Sequence, residues 1–128
     1  MGLMRYVLPR WMLRMTLQPA YANPEVMTDS LAARYHDFLI APGARDAMLE
    51  RMRQTVLTDP VPRLRSIQAE TLLMWGELDA MIPISNAQDY LDVMPNARLV
   101  RLPGLGHLPF EEAPEPALTP LRTFLIGP

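Results

Sequence analysis

Apolar positions recur at helical spacing through the first half of the chain and condense into one short continuous run and one further strand-like stretch in the second. Pro9 suits the first turn of a helix, and the spacing of Trp11, Met12 and Met15 carries that helix to about Leu17. The stretch QPAYANP, residues 18–24, breaks it at Pro19 and Pro24. Leu31, Ala32, Tyr35, Phe38 and Leu39 then predict a helix over 28–40, with Thr28 or Asp29 as N-cap and APG at 41–43 as its end. A third helix is expected over 44–56, with Ala47, Met48 and Met52 inward. TDPVPRL, residues 58–64, reads as a turn-rich link.

The second half changes character. TLLMW, residues 71–75, is a short apolar run closed by Gly76, as in a strand buried on both faces of a parallel sheet. ARLVRL, residues 97–102, is a second strand closed by Pro103 and Gly104, and between the two Ile84, Ala87, Leu91 and Met94 recur at helical spacing. Strand, helix and strand within so short a span make a βαβ unit, whose strands must run parallel. A last helix is expected over 116–126, with Leu118, Leu121 and Leu125 inward and Gly127 as its stop. The pattern is therefore α/β: a helical segment over residues 1–66, then a strand-helix-strand-helix segment over residues 67–128.

Composition narrows the possible partners. With 128 residues, 49% hydrophobic and 20% charged, the chain reads as globular, and a net charge of −2 gives no electrostatic reason to expect nucleic acid or an anionic membrane. All twelve basic residues are arginines, scattered without forming a patch. No cysteine is present, which excludes disulfides, thiolate metal sites and a cysteine nucleophile and leaves the cytoplasm as the default compartment. No run reaches the roughly 20 apolar residues of a membrane-spanning helix. Arg5, Arg10 and Arg14 interleave with Met4, Val7, Leu8, Trp11, Met12 and Met15 ahead of the first acidic residue, Glu25, as in an amphipathic targeting peptide. Any core-facing helix shows the same spacing, and that is the reading kept here. MGLMRY also lacks the Ser or Thr of a myristoylation site.

The chemistry collects after the two strands. Loops that follow parallel neighbours leave the sheet at the same edge, where open α/β folds bind their ligands. Asp79 follows the first strand and His107 the second, so a carboxylate and an imidazole can meet. A carboxylate on one ring nitrogen sets the tautomer and leaves the other nitrogen to act as base and then acid. Gly104 and Gly106 permit backbone angles that turn the ring into the site. Glu111, Glu112 and Glu115 stand near the start of the last helix, where capping is expected of them, while Glu112 has the further option of holding the His107 loop. His36 is read as structural or exposed. The ten methionines are expected to fill core and cap surfaces. Asp79 and His107 alone fall short of a catalytic zinc set, so no metal and no cofactor is expected.

TLLMWGELDAMIP followed by ARLVRLPGLGHLPFEEAPE resembles the C-terminal portion of the α/β-hydrolase fold superfamily. Gly76, Asp79 and Pro83 match its G-x-x-D-x-x-x-P, which supplies the triad acid, and Gly104, Gly106 and His107 match its G-x-G-H, which supplies the triad base. Glu112 and Pro114 match an E-x-P that often follows. The resemblance covers about residues 67–127, and the earlier helices resemble, more weakly, the cap that many members insert. It implies a partial α/β-hydrolase fold in which His107 and Asp79 are catalytic and Gly76, Gly104, Gly106 and Glu112 support them.

The family's nucleophile sits in a strand-turn-helix elbow, G-x-S-x-G. The only serines here, Ser30, Ser66 and Ser85, lie in no such setting. The resemblance thus implies the cap and C-terminal part of a hydrolase of a small-molecule ester or C–C bond, inactive alone, whose nucleophile comes from elsewhere. The competing reading is a non-catalytic relative that binds a small ligand or a partner protein. Two strands alone would leave the Trp75 strand with an open edge, for which the missing half of the fold or a second copy is the expected partner.

Overall fold

The computed structural model describes residues 9–127. The amphipathic-peptide reading and the myristoylation test rest largely on residues 1–8, outside the described residues. The described residues form two compact units, one including residues 9–18 and 27–58, the other residues 19–26 and 59–127.

In the first unit, α1 (Arg10–Leu17) packs on α2 (Asp29–Ile40), and α2 on α3 (Ala44–Gln54). Leu13, Met27 and Ala32 form its buried set. Thr28 is the N-cap of α2, its hydroxyl accepting from the Leu31 N–H at 3.1 Å, as its position before the apolar run predicts. Arg14 pairs with Asp29 and ties α1 to the first turn of α2. Gly43, at φ +81°, makes the left-handed turn into α3. The inner face expected on α3 is not buried: Ala47, Met48 and Met52 are all exposed. Phe38 of α2 is exposed too, because α2 has neighbours on only part of its circumference.

The second unit holds α4 (Val61–Arg65), β1 (Thr71–Gly76), α5 (Asn86–Val93), β2 (Ala97–Leu102), α6 (Pro109–Glu112) and α7 (Pro114–Ile126). The strands pair in parallel from Thr71 opposite Ala97 to Gly76 opposite Leu102, as a βαβ unit requires. Helix α5 packs on β2 and α4 on α5, while α7 lies against β2 and α6. Arg98 of β2 sits 4.8 Å from the Phe124 ring centroid of α7, a cation–π contact between strand and helix. The buried set here is Ala20, Tyr21, Ala87, Met94, Leu102 and Ala117.

Several local expectations are corrected. The link over 58–64 contains α4, since Pro60 and Pro62 stand where a helix accepts proline, at its cap and first turn. Helix α7 begins two residues earlier than predicted, again at a proline, and α6 precedes it. Leu125 is 68% exposed, one turn beyond the end of the α7 surface that Ala117, Leu118 and Leu121 cover. Residues 71–75 are half-buried, not buried on both faces, because among the described residues β1 has a single strand neighbour. Gly127, at φ +78°, does close α7.

Among the described residues β1 pairs with β2 alone, and such an open edge beside a half-buried apolar strand templates pairing with another chain. The isolated chain should therefore associate as its concentration rises, which sedimentation velocity would detect; a monomer at every concentration would contradict this. Gly76 makes a second prediction. A Cβ there would lie 2.1 Å from the Gly106 carbonyl oxygen and 2.4 Å from that of Leu105, both backbone atoms with no rotamer to move. Gly76→Ala should cost about 1–3 kcal/mol or more in urea unfolding, and an unchanged midpoint would refute the close approach.

Candidate functional site

Both loops leave the sheet at the Gly76 and Leu102 end, and the backbone continues to pair there. The Glu77 N–H donates to the Leu102 carbonyl at 3.1 Å and the Leu78 N–H to the Leu105 carbonyl at 2.9 Å. The loop after β1 is thus carried on the loop after β2. Gly104, at φ +72°, supplies the left-handed turn that lets Leu105 N–H reach back to the Leu102 carbonyl. Gly106 is needed for a different reason. A Cβ on it would stand 2.7 Å from the Ala22 nitrogen and 2.8 Å from the Ala20 oxygen.

Asp79 and His107 meet. His107 Nδ1 lies 2.9 Å from Asp79 Oδ2. The Asp79 side chain is only 5% exposed and that of His107 is 32% exposed, so the acid is enclosed and the ring reaches outward. The other carboxylate oxygen, Oδ1, accepts from the backbone N–H groups of Met81 and Ile82, both at 2.9 Å. Burial pushes the Asp79 carboxyl up, but the Ile82 N–H, the His107 side chain, the Met81 N–H and the charge of His107 together outweigh it and hold the group below its ordinary 3.8. An ionised carboxylate only accepts, so Nδ1 carries the hydrogen and Nε2 of a neutral ring is left with its lone pair.

The His107 loop is held from a third side by a segment that the sequence presents only as a break between helices. The Ala20 carbonyl accepts from the N–H groups of His107 at 2.8 Å and Leu108 at 3.3 Å. Glu112 spans the gap: its Oε2 accepts from the Gly106 N–H at 2.8 Å and its Oε1 from the Asn23 N–H at 2.7 Å. Tyr21, buried, donates its hydroxyl to Glu111 at 2.6 Å. Glu115 faces Arg122 at 3.4 Å. These glutamates stand in the first turns of α6 and α7, where negative charge meets the helix N-terminus, while the N-cap residues Leu108 and Ala113 make no side-chain cap. Glu112 takes the loop-holding role in addition.

Ala20, Tyr21 and Asn23 are contributors that sequence reasoning missed, since nothing in QPAYANP points to partners more than 80 residues away. Trp75 was legible only as an apolar strand residue, whereas its indole N–H donates to the Ile82 carbonyl at 2.9 Å. His36 lies apart, half-buried and 3.5 Å from Asp37. Among the described residues no three His, Asp or Glu side chains converge as metal ligands, and no helix is long and apolar enough to cross a membrane.

Comparison with known proteins places this geometry. Residues 2–118 match the family model described as the alpha/beta hydrolase family. Over 66 residues the chain is 38% identical to a non-heme haloperoxidase of Rhodococcus erythropolis, a stretch that is 51% of this chain and 24% of that protein. A serine hydrolase involved in carbazole degradation superposes with a TM-score of 0.79 at 21% identity, covering 96% of this chain and 49% of that one. A serine hydrolase from the polyaromatic-hydrocarbon-degrading bacterium Cycloclasticus zankles gives 0.76 at 21% identity, with 97% and 47% covered. The chain thus matches about a quarter of the length of its curated relative and about half of each solved one. A family match over most of the sequence, together with the shared fold, establishes that this chain belongs to the alpha/beta hydrolase family.

Proposed function

We propose that the chain supplies the acid and the base of a nucleophile-His-Asp triad that hydrolyses an ester or C–C bond of a small molecule. The observation that carries this reading is the 2.9 Å contact between the enclosed Asp79 carboxylate and Nδ1 of the more open His107 ring. Nε2 takes the proton of an attacking hydroxyl, and the imidazolium so formed is stabilised by Asp79. The same nitrogen then returns the proton to the leaving group. Gly76, Gly104 and Gly106 bring the loops within reach, and Glu112 holds the His107 loop. Helices α1, α2 and α3 act as cap, while α4 packs with the βαβ unit and residues 67–128, served by residues 19–26, form part of the catalytic core.

The attacking group lies outside these 128 residues, since no serine stands in a G-x-S-x-G elbow and no cysteine is present. Removing a triad nucleophile costs about 10⁶ in turnover, so the chain alone is inactive. Its partner in this reading is a nucleophile-bearing half that pairs with the open edge of β1, with a small molecule as substrate.

A binding role is the second reading. It is favoured by the apolar residues that α3 and its exit leave in solvent: Met48, Met52, Val56 and Leu57, the last 95% exposed. Turnover by the completed protein separates the two.

The chain should therefore be joined to a nucleophile-bearing N-terminal half of the same fold and assayed with a panel of p-nitrophenyl esters. We expect turnover that Asp79→Asn reduces by roughly 10⁴ and His107→Ala by roughly 10⁶. Activity indifferent to both changes would falsify the assignment. Acid sensitivity follows from Asp79. Its folded pKa lies below the ordinary 3.8, so its contribution to stability is complete above that value and is lost as pH falls through the lower folded one. Urea midpoints measured across the acid range should fall less steeply for Asp79→Asn than for the unmodified chain, whereas parallel curves would show that the carboxylate is not held in this way.

A further inference from the structure

We propose that Trp75 is a positioning residue for the Asp79–His107 pair, acting through Ile82. The inference rests on the triad reading above and adds to it a residue outside the matched motifs. Trp75 is the last residue of β1 before Gly76, and its half-buried indole turns toward the loop that follows. There the indole N–H donates to the Ile82 carbonyl at 2.9 Å. Ile82 is the residue whose own N–H donates to Asp79 Oδ1 at 2.9 Å, and Asp79 Oδ2 in turn faces His107 Nδ1 at the same distance. Four residues are therefore joined in one series: Trp75, Ile82, Asp79, His107.

The chemistry of the loop makes this contact consequential. The peptide bond after Ile82 leads to Pro83, which has no N–H, so the chain loses one backbone donor where the loop leaves Asp79. The Ile82 carbonyl is gripped from the strand instead. The Trp75 ring is itself braced by Tyr90 of α5, with ring centroids 6.2 Å apart and planes tilted by 48°. The acid loop is thereby referenced to the strand and helix of the βαβ unit, not only to its own turn. The remaining anion of the loop, Glu77, is occupied by Arg101 at 2.7 Å, which leaves the His107 ring as the side chain facing Asp79 Oδ2. A hydrogen-bonded series in a partly enclosed site transmits a shift at one end to the other, and a displacement of about 1 Å in a catalytic pair costs on the order of 10²-fold in rate.

The test begins with the unmodified full chain. The Trp75 indole N–H resonance, assigned by its loss in Trp75→Phe, should move in step with the Asp79 side-chain carboxyl resonance as that group titrates. An indole signal flat through that titration would overturn the inference. In Trp75→Phe, which keeps an aromatic ring and removes the donor, the Asp79 titration should move up toward the ordinary carboxylate range. Tyr90→Phe, a control that preserves the ring contact, should leave it in place. In the completed enzyme Trp75→Phe should lower kcat about 10- to 100-fold with KM within about twofold. Loss of thermal stability with kcat and the Asp79 titration both unchanged would mark Trp75 as structural only and refute the proposal. The triad reading fails separately: Asp79→Asn would then leave kcat unaffected, whatever Trp75→Phe does.

Discussion

The site depends on the parallel pairing of Thr71–Gly76 with Ala97–Leu102 and on its continuation past the ends of the strands. Parallel neighbours deliver their following loops to the same edge, and two further backbone bonds, Glu77 to Leu102 and Leu78 to Leu105, keep those loops together once the strands have ended. The approach is so close that the Gly76 α-carbon faces the Gly106 carbonyl with no room for a methyl group. Without that register Asp79 and His107 are two polar residues 28 positions apart. With it they are hydrogen-bonded.

The electrostatics follow from the same geometry. A carboxylate removed from water is destabilised unless its lone pairs are satisfied. Asp79 meets this with a division of labour between its oxygens, one taken by two backbone N–H groups and the other by the imidazole. The first oxygen fixes the orientation of the carboxylate, so the second can present a defined direction to His107. The His107 loop is secured in a comparable way: Glu112 accepts from the amide just before the histidine, and the Ala20 carbonyl accepts from the amide of the histidine itself. Each partner of the pair is positioned by backbone groups before it touches the other.

Apolar surface lies open within each unit. Among the described residues β1 has one strand neighbour and stays half-buried along its apolar run, and α3 carries methionines in solvent. The chain spans about half the length of each of these solved relatives. Hydrophobic periodicity says that a face is suited to burial. It does not say what buries it, which is why Met48 and Met52 could be read as inward-facing and yet lie exposed.

Much was legible in the sequence. A continuous apolar run closed by Gly76 and a second stretch closed by Pro103 and Gly104 indicated the strands, helical spacing indicated α1, α2 and α5, and Thr28 announced the start of α2, because these are local properties of period, cap and turn. The two loop motifs likewise identified Asp79 and His107, since parallel topology alone dictates a shared edge. Tertiary structure decided the rest. That residues 19–26 fold against the His107 loop, that Glu112 bridges Asn23 and Gly106, and that the Trp75 indole reaches Ile82 are consequences of side-chain direction and of contacts across long stretches of chain. Such contacts leave no period in the sequence, because what selects them is the space that remains after the strands have paired.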